Sequence, residues 1–168
     1  YQIPALCRDG VGVVVSPLIA LMQDQITALE QVGIAAGAIN SGMSDIDIFK
    51  VKQKLENNQL DLLYVAPERL VMPDFLNSLE GVRIGLFAID EAHCVSQWGH
   101  DFRPDYTALS LLADRFRDIP RVALTATADQ ATRKDIIDRL NLEKGRVFIG
   151  GFDRPNIHYS IHERNNPK

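Results

Sequence analysis

The chain has only two cysteines, a single tryptophan and no excess of basic charge. Cys7 and Cys94 lie far apart and suggest no disulfide framework, so a reducing compartment is the simpler reading. The 18 Lys and Arg are outnumbered by 22 Asp and Glu, leaving a net charge of −4. That excludes a binder relying on a generally basic surface. Any nucleic-acid contact must come from local basic and aromatic groups. No apolar stretch reaches membrane-spanning length, and the N-terminus carries no signal-peptide pattern. There is no internal repeat and no low-complexity stretch. One absence weighs more than these: no Gly-x-x-x-x-Gly-Lys-[Ser/Thr] phosphate loop occurs in the 168 residues.

What is present suits one domain with a sizeable core. Hydrophobic residues make up 46% and charged residues 24% of the chain. Apolar runs alternate with helical patterns. Strands are expected at Val11–Val15, Ala35–Ile39, Leu60–Val65, Ile84–Asp90, Val122–Thr125 and Val147–Ile149, with a further extended segment at Ile157–Ile161. A helix is expected from Pro17, capped by Ser16, with Leu18, Met22, Ile26 and Leu29 on one face and Gly33 at its end. Others are expected over Ser44–Asn57, with Ile46, Phe49 and Leu55 inward, and over Pro73–Leu79, Tyr106–Phe116 and Asp129–Leu140. This order argues for a doubly wound α/β domain with a mostly parallel sheet. The tail from residue 161 to 168 reads as a linker.

Asp90-Glu91-Ala92-His93 follows the apolar run Ile84–Ile89. Two carboxylates therefore sit at the carboxyl end of a buried strand, where open α/β sheets place their ligands. An NTPase needs one acid there to hold Mg²⁺ and a second to handle the attacking water. Asp90 suits the first task and Glu91 the second. Alone, the pair would sooner be read as two solvated acids capping the next segment; the surrounding segments reverse that reading. His93, Cys94 and His100 lack a usual structural-zinc spacing, and Cys94 reads as a small packed side chain. Trp98, His100, Phe102, Arg103 and Tyr106 are interleaved with Gly99, Asp101, Pro104 and Asp105, which reads as a loop with exposed rings rather than an amphipathic element. Such rings stack on unpaired bases without needing sequence readout.

Several segments, taken in order, resemble the first motor domain of the RecQ family of DNA helicases. They are Val13–Gln25, Tyr64–Leu70, Asp90–His93, Ser96–Tyr106 and Ala123–Ala128. The resemblance runs from Tyr1 to about Ser160, and Trp98-Gly99-His100-Asp101-Phe102-Arg103-Pro104 is its most specific part. It implies a RecA-like fold, ATP and Mg²⁺ as cofactors, single-stranded and forked DNA as partners, and translocation from 3′ to 5′. Single-strand-binding or repair proteins would be further partners, in a bacterial cytoplasm or a eukaryotic nucleus. By the same resemblance His93 relays nucleotide state, and Trp98, His100, Phe102 and Arg103 couple DNA binding to hydrolysis. Ser16, Gln25 and Arg69 would line the DNA track, and Thr125 and Thr127 would bond to the catalytic carboxylates. Phe152-Asp153-Arg154-Pro155-Asn156 would lead toward a second motor domain. In that family the phosphate loop lies just upstream of the segment matching Tyr1–Leu6. The chain is thus expected to be part of a larger enzyme, with the phosphate-loop strand missing. Two other readings stay open: a catalytically inactive DNA- or protein-binding module, and a DEAD-box-type RNA helicase domain.

Overall fold

A computed structural model describes residues 1–98, 101–151, 156–158 and 160–161. Five strands form one parallel sheet: β1 (Val11–Val15), β2 (Ala36–Ile39), β3 (Leu62–Val65), β4 (Ile84–Ile89) and β5 (Arg121–Ala123). Their order is β2-β3-β1-β4-β5. Side chains alternate across the sheet, so each strand feeds two cores. Val13, Val15, Leu63, Val65, Phe87 and Ile89 pack on one face with Phe75, Tyr106, Leu112 and Ile136. Val14, Leu62, Tyr64, Leu86 and Ala88 pack on the other with Ala5, Met22, Ile26 and Leu29. The second face is covered by α1 (Gln2–Leu6) and α2 (Ile19–Gln31). The first takes residues from α3 (Asp45–Glu56), α4 (Pro67–Leu70), α5 (Pro73–Leu79), α6 (Pro104–Thr107), α7 (Leu111–Arg115) and α8 (Gln130–Arg139). This is the doubly wound α/β architecture that the alternating pattern predicts. Gly12 lets α1 pack close to the sheet: a Cβ there would meet Ala5 Cβ of α1 at 2.6 Å and Leu62 Cδ2 at 2.8 Å.

Several expectations are corrected. Ser16 does not cap α2, because its N–H continues the sheet ladder to Val65 O at 3.2 Å and holds it extended. The helix begins at Ile19 with Leu18 as its N-cap, and Leu18 stays largely exposed while Met22, Ile26 and Leu29 are buried. In α3 the inward stripe is Ile48, Val51 and Leu55, whereas Ile46 and Phe49 face solvent. The observed stripe is the one with helical spacing, i, i+3 and i+7, whereas Leu55 lies on the opposite side of the helix from Ile46. The segment 106–116 is not one helix: α6 and α7 are separated by a 3₁₀ turn over Ala108–Ser110. Val147–Ile149 forms no strand, and its side chains are mostly exposed. A cavity of about 680 Å³ is lined by Val122, Leu124 and Ala126 and by Val147, Phe148 and Ile149, so the two segments make no ladder. Ile157 and Ile161 are exposed and likewise outside the sheet. Phe152–Pro155 and 162–168, which carry the exit segment and most of the linker, lie outside the described residues. No helix among the described residues is long and apolar enough to cross a membrane.

Candidate nucleotide and nucleic-acid site

Backbone hydrogen bonds extend the ladder past the carboxyl ends of the strands and set the site in a row. Ala66 N–H donates to Ile39 O at 3.0 Å, Asp90 N–H to Val15 O at 2.9 Å and Leu124 N–H to Ile89 O at 2.9 Å. Ser16, Asp90 and Thr125 thus follow neighbouring strands β1, β4 and β5. Arg69 lies in the short helix after β3 and is half-buried, with Nη1 3.7 Å from Met72 Sδ.

At the centre, Asp90 Oδ1 accepts from Glu91 N–H at 3.0 Å. Glu91 is held at φ 48° and ψ 42°, in the left-handed region that non-glycine residues seldom enter. Ala92 N–H donates to Leu124 O at 2.8 Å, and Ala92–Val95 make a 3₁₀ turn. That turn brings His93 Nδ1 within 3.3 Å of Glu91 Oε2 and 3.0 Å of Thr125 Oγ1. Thr125 therefore reaches the carboxylate pair through His93 rather than by bonding a carboxylate. Thr127 contributes its backbone: its N–H donates to Thr125 Oγ1 at 3.2 Å. The N-cap of α8 is Asp129.

The loop that follows splits by burial. Trp98 is 77% exposed and Phe102 37%, while Tyr106 is fully buried. Pro104 starts α6 and turns Tyr106 inward, where its hydroxyl donates to Asp90 O at 2.9 Å. Burial holds that hydroxyl well above the usual phenol range. Arg103 donates from Nε and Nη2 to Asp101 Oδ2 at 3.2 and 3.0 Å, and from Nη1 to Pro17 O at 3.4 Å. The guanidinium holds the Asp101 carboxyl below the usual carboxylate range. Burial, reinforced by Asp101, pushes the Cys94 thiol up to about 11. His100 lies outside the described residues.

The remaining expected residues stand apart. Ser16 is buried, and its hydroxyl has no partner among the described residues. Gln25 accepts from Gln2 Nε2 at 2.7 Å, and the same Gln2 nitrogen lies 3.0 Å from Tyr64 Oη, which ties Gln25 to α1. Reading the sequence missed Ser96 and Asp135, joined at 3.0 Å across 39 positions, because no local spacing signals a contact between a loop and a distant helix. Among the described residues no group of three or more His, Cys, Asp or Glu could hold a metal. Asp90 suits a hard cation that takes its other oxygens from water and phosphate, not one caged by protein alone.

A family model described as DEAD/DEAH box helicase matches residues 1–136. The chain belongs to the DEAD/DEAH box helicase family. Its box reads Asp90-Glu91-Ala92-His93. Among its relatives, the ATP-dependent DNA helicase RecQ of Haemophilus influenzae is 50% identical over 99% of this chain. RecQ of Bacillus subtilis is 44% identical over 96%. The chain spans 27% of each of those two helicases. An ATP-dependent DNA helicase, Q-like 4B, of Arabidopsis thaliana is 43% identical over 99% of this chain and 15% of that protein. The RecQ resemblance in the motifs is therefore shared by bacterial and plant relatives. The Pyrococcus furiosus Hef helicase domain matches with a TM-score of 0.57 at 14% identity, over 84% of this chain and 29% of that one. That likeness concerns the fold, which is RecA-like.

Proposed function

We propose that this chain is the first motor domain of a RecQ-type ATP-dependent DNA helicase that moves 3′ to 5′ along a single strand. The observation carrying the proposal is the contact series Glu91–His93–Thr125 at the carboxyl ends of β4 and β5. An ATPase base must be positioned and must be linked to the rest of its motor, and this series supplies both. Asp90 offers a carboxylate to Mg²⁺, with its backbone pinned by Val15 and Tyr106. Mg²⁺, when bound, neutralises charge on the β- and γ-phosphates. Glu91 orients the attacking water and accepts its proton. His93 holds the Glu91 carboxylate and meets Thr125, whose position follows β5. Trp98 and Phe102 offer rings for base stacking, and Arg103 ties their loop to the turn after β1.

The relatives named DNA helicases favour DNA over RNA as the partner. Trp98→Ala in the intact protein tests the reading. The ring is exposed, so stability should change by no more than about 0.5 kcal/mol. Loss of one stacked ring should weaken single-stranded DNA binding by about 1–3 kcal/mol. Basal ATP turnover should persist while DNA stimulation and unwinding fall. Equal loss of basal and stimulated turnover, with a large drop in melting temperature, would refute it.

A further inference from the structure

We infer that Asp135 on α8 is a positioning residue for the Trp98 loop, acting through the buried hydroxyl of Ser96. Ser96 is fully buried. Its Oγ donates to Asp135 Oδ2 at 3.0 Å and accepts from Trp98 N–H at 3.2 Å. One hydroxyl thus uses its donor on α8 and an acceptor site on the loop. Arg139 Nε lies 3.3 Å from the same Oδ2 as a charge contact without aligned hydrogen-bond geometry. It compensates the Asp135 carboxylate, whose side chain is only 21% exposed. A hydrogen bond to an ionised acceptor is about twice as strong as a neutral one, so the Ser96 hydroxyl has a strong reason to keep this orientation.

The exposed Trp98 ring cannot be aimed by packing, which leaves its backbone anchor to aim it. Two anchors bracket the loop. Arg103 with Asp101 closes the far end, where Arg103 N–H also donates to Cys94 O at 2.9 Å. Ser96 with Asp135 closes the near end. The segment from Thr125 to Asp135 therefore touches His93 at one point and the root of Trp98 at another. It offers a direct mechanical link between the carboxylate pair and the exposed ring. The importance of that link for coupling rests on Trp98 being the DNA contact proposed above; the anchoring itself does not.

Trp98 is the only tryptophan of the 168-residue chain, so its emission reports the loop without background. Asp135→Ala and Ser96→Ala should each raise the amplitude of its fast depolarisation about twofold, since loop motions occupy nanoseconds and slower. Asp135→Asn keeps an acceptor oxygen and should stay near the unsubstituted chain. The two alanine changes combined should add little beyond either alone, because they break one path. Lys134→Ala, exposed on the same helix, controls for general loosening of α8. Unchanged depolarisation in a folded Asp135→Ala chain overturns the inference. So does an Asp135→Asn chain that behaves like Asp135→Ala. If the buried Ser96→Ala variant fails to fold, the two Asp135 variants decide alone. Quenching of the same emission by oligothymidylate is read separately. Its absence in the unsubstituted chain removes the DNA reading of Trp98 and leaves the depolarisation result standing.

Discussion

Glu91 occupies a left-handed backbone conformation that costs an ordinary residue roughly 1–2 kcal/mol. Two hydrogen bonds hold it there, Asp90 Oδ1 on its own N–H and Leu124 O on the next N–H, with His93 Nδ1 3.3 Å from its carboxylate. Strain that persists only because neighbours enforce it is common where side chains must be aimed at a reacting atom. Tyr106 belongs to the same frame. Tyr106→Phe removes one buried hydrogen bond to Asp90 O and should cost about 1 kcal/mol in thermal or denaturant unfolding. An unchanged melting temperature would show that the hydroxyl does not hold Asp90. The sequence shows Tyr106 as one of several rings in a polar loop. Only the Pro104 helix start, which turns it inward, separates it from Trp98 and Phe102. Cys94 gives a second check at this scale. Its thiol is buried and raised to about 11, whereas Cys7 is exposed. Alkylation of the native chain near pH 8 should modify Cys7 and spare Cys94, as read by mass spectrometry. The folded chain holds the Cys94 proton more tightly than the unfolded one. Its contribution to stability is therefore present below the ordinary thiol range and is lost as pH rises toward about 11.

At the scale of elements, capping was not legible: Ser16, the one cap the sequence suggested, is not used, and two other side chains cap helices. Ser44 caps α3 by accepting from Asp47 N–H at 3.2 Å, and Asp129 caps α8 by accepting from Thr132 N–H at 2.8 Å. Asp129→Ala should lower the midpoint of equilibrium unfolding. The Thr132 N–H holds the Asp129 carboxyl below its usual range. The cap therefore contributes fully above the ordinary carboxylate range, and that contribution fades as pH falls through the folded value. At a pH low enough to protonate the folded carboxyl, Asp129→Ala and the unsubstituted chain should converge; a difference that survives there would assign the effect elsewhere. The strands of the buried sheet were readable because both faces are covered, giving continuous apolar runs such as Ile84–Ile89. Val147–Ile149 has the same composition but no partner strand, and composition alone cannot reveal a missing partner. In α3 the helical period itself favours Ile48, Val51 and Leu55, which share one face and are the residues that pack, over Ile46 and Phe49.

For the whole molecule, a parallel sheet gathers chemistry from distant segments onto one edge. Residues after β1, β4 and β5 meet there although more than 100 positions separate Ser16 from Thr125. The motifs located most of that edge in advance, because each is short and follows its strand directly. The links between motifs were not legible. Arg103 to Pro17, His93 to Thr125 and Ser96 to Asp135 are contacts of the folded state with no spacing rule behind them. A net charge of −4 also means that the proposed DNA contact would depend on a few groups of that edge rather than on a basic surface. The central claim is that Glu91 is the base of an ATP-hydrolysing centre on this edge. ATP turnover by the intact protein carrying Glu91→Gln, measured with and without single-stranded DNA beside a nucleotide-binding assay, tests it most directly. The account predicts a fall of about 10²-fold or more in both rates with nucleotide binding largely retained, since the amide keeps the shape but cannot take the proton. Near-normal turnover in that variant would contradict it.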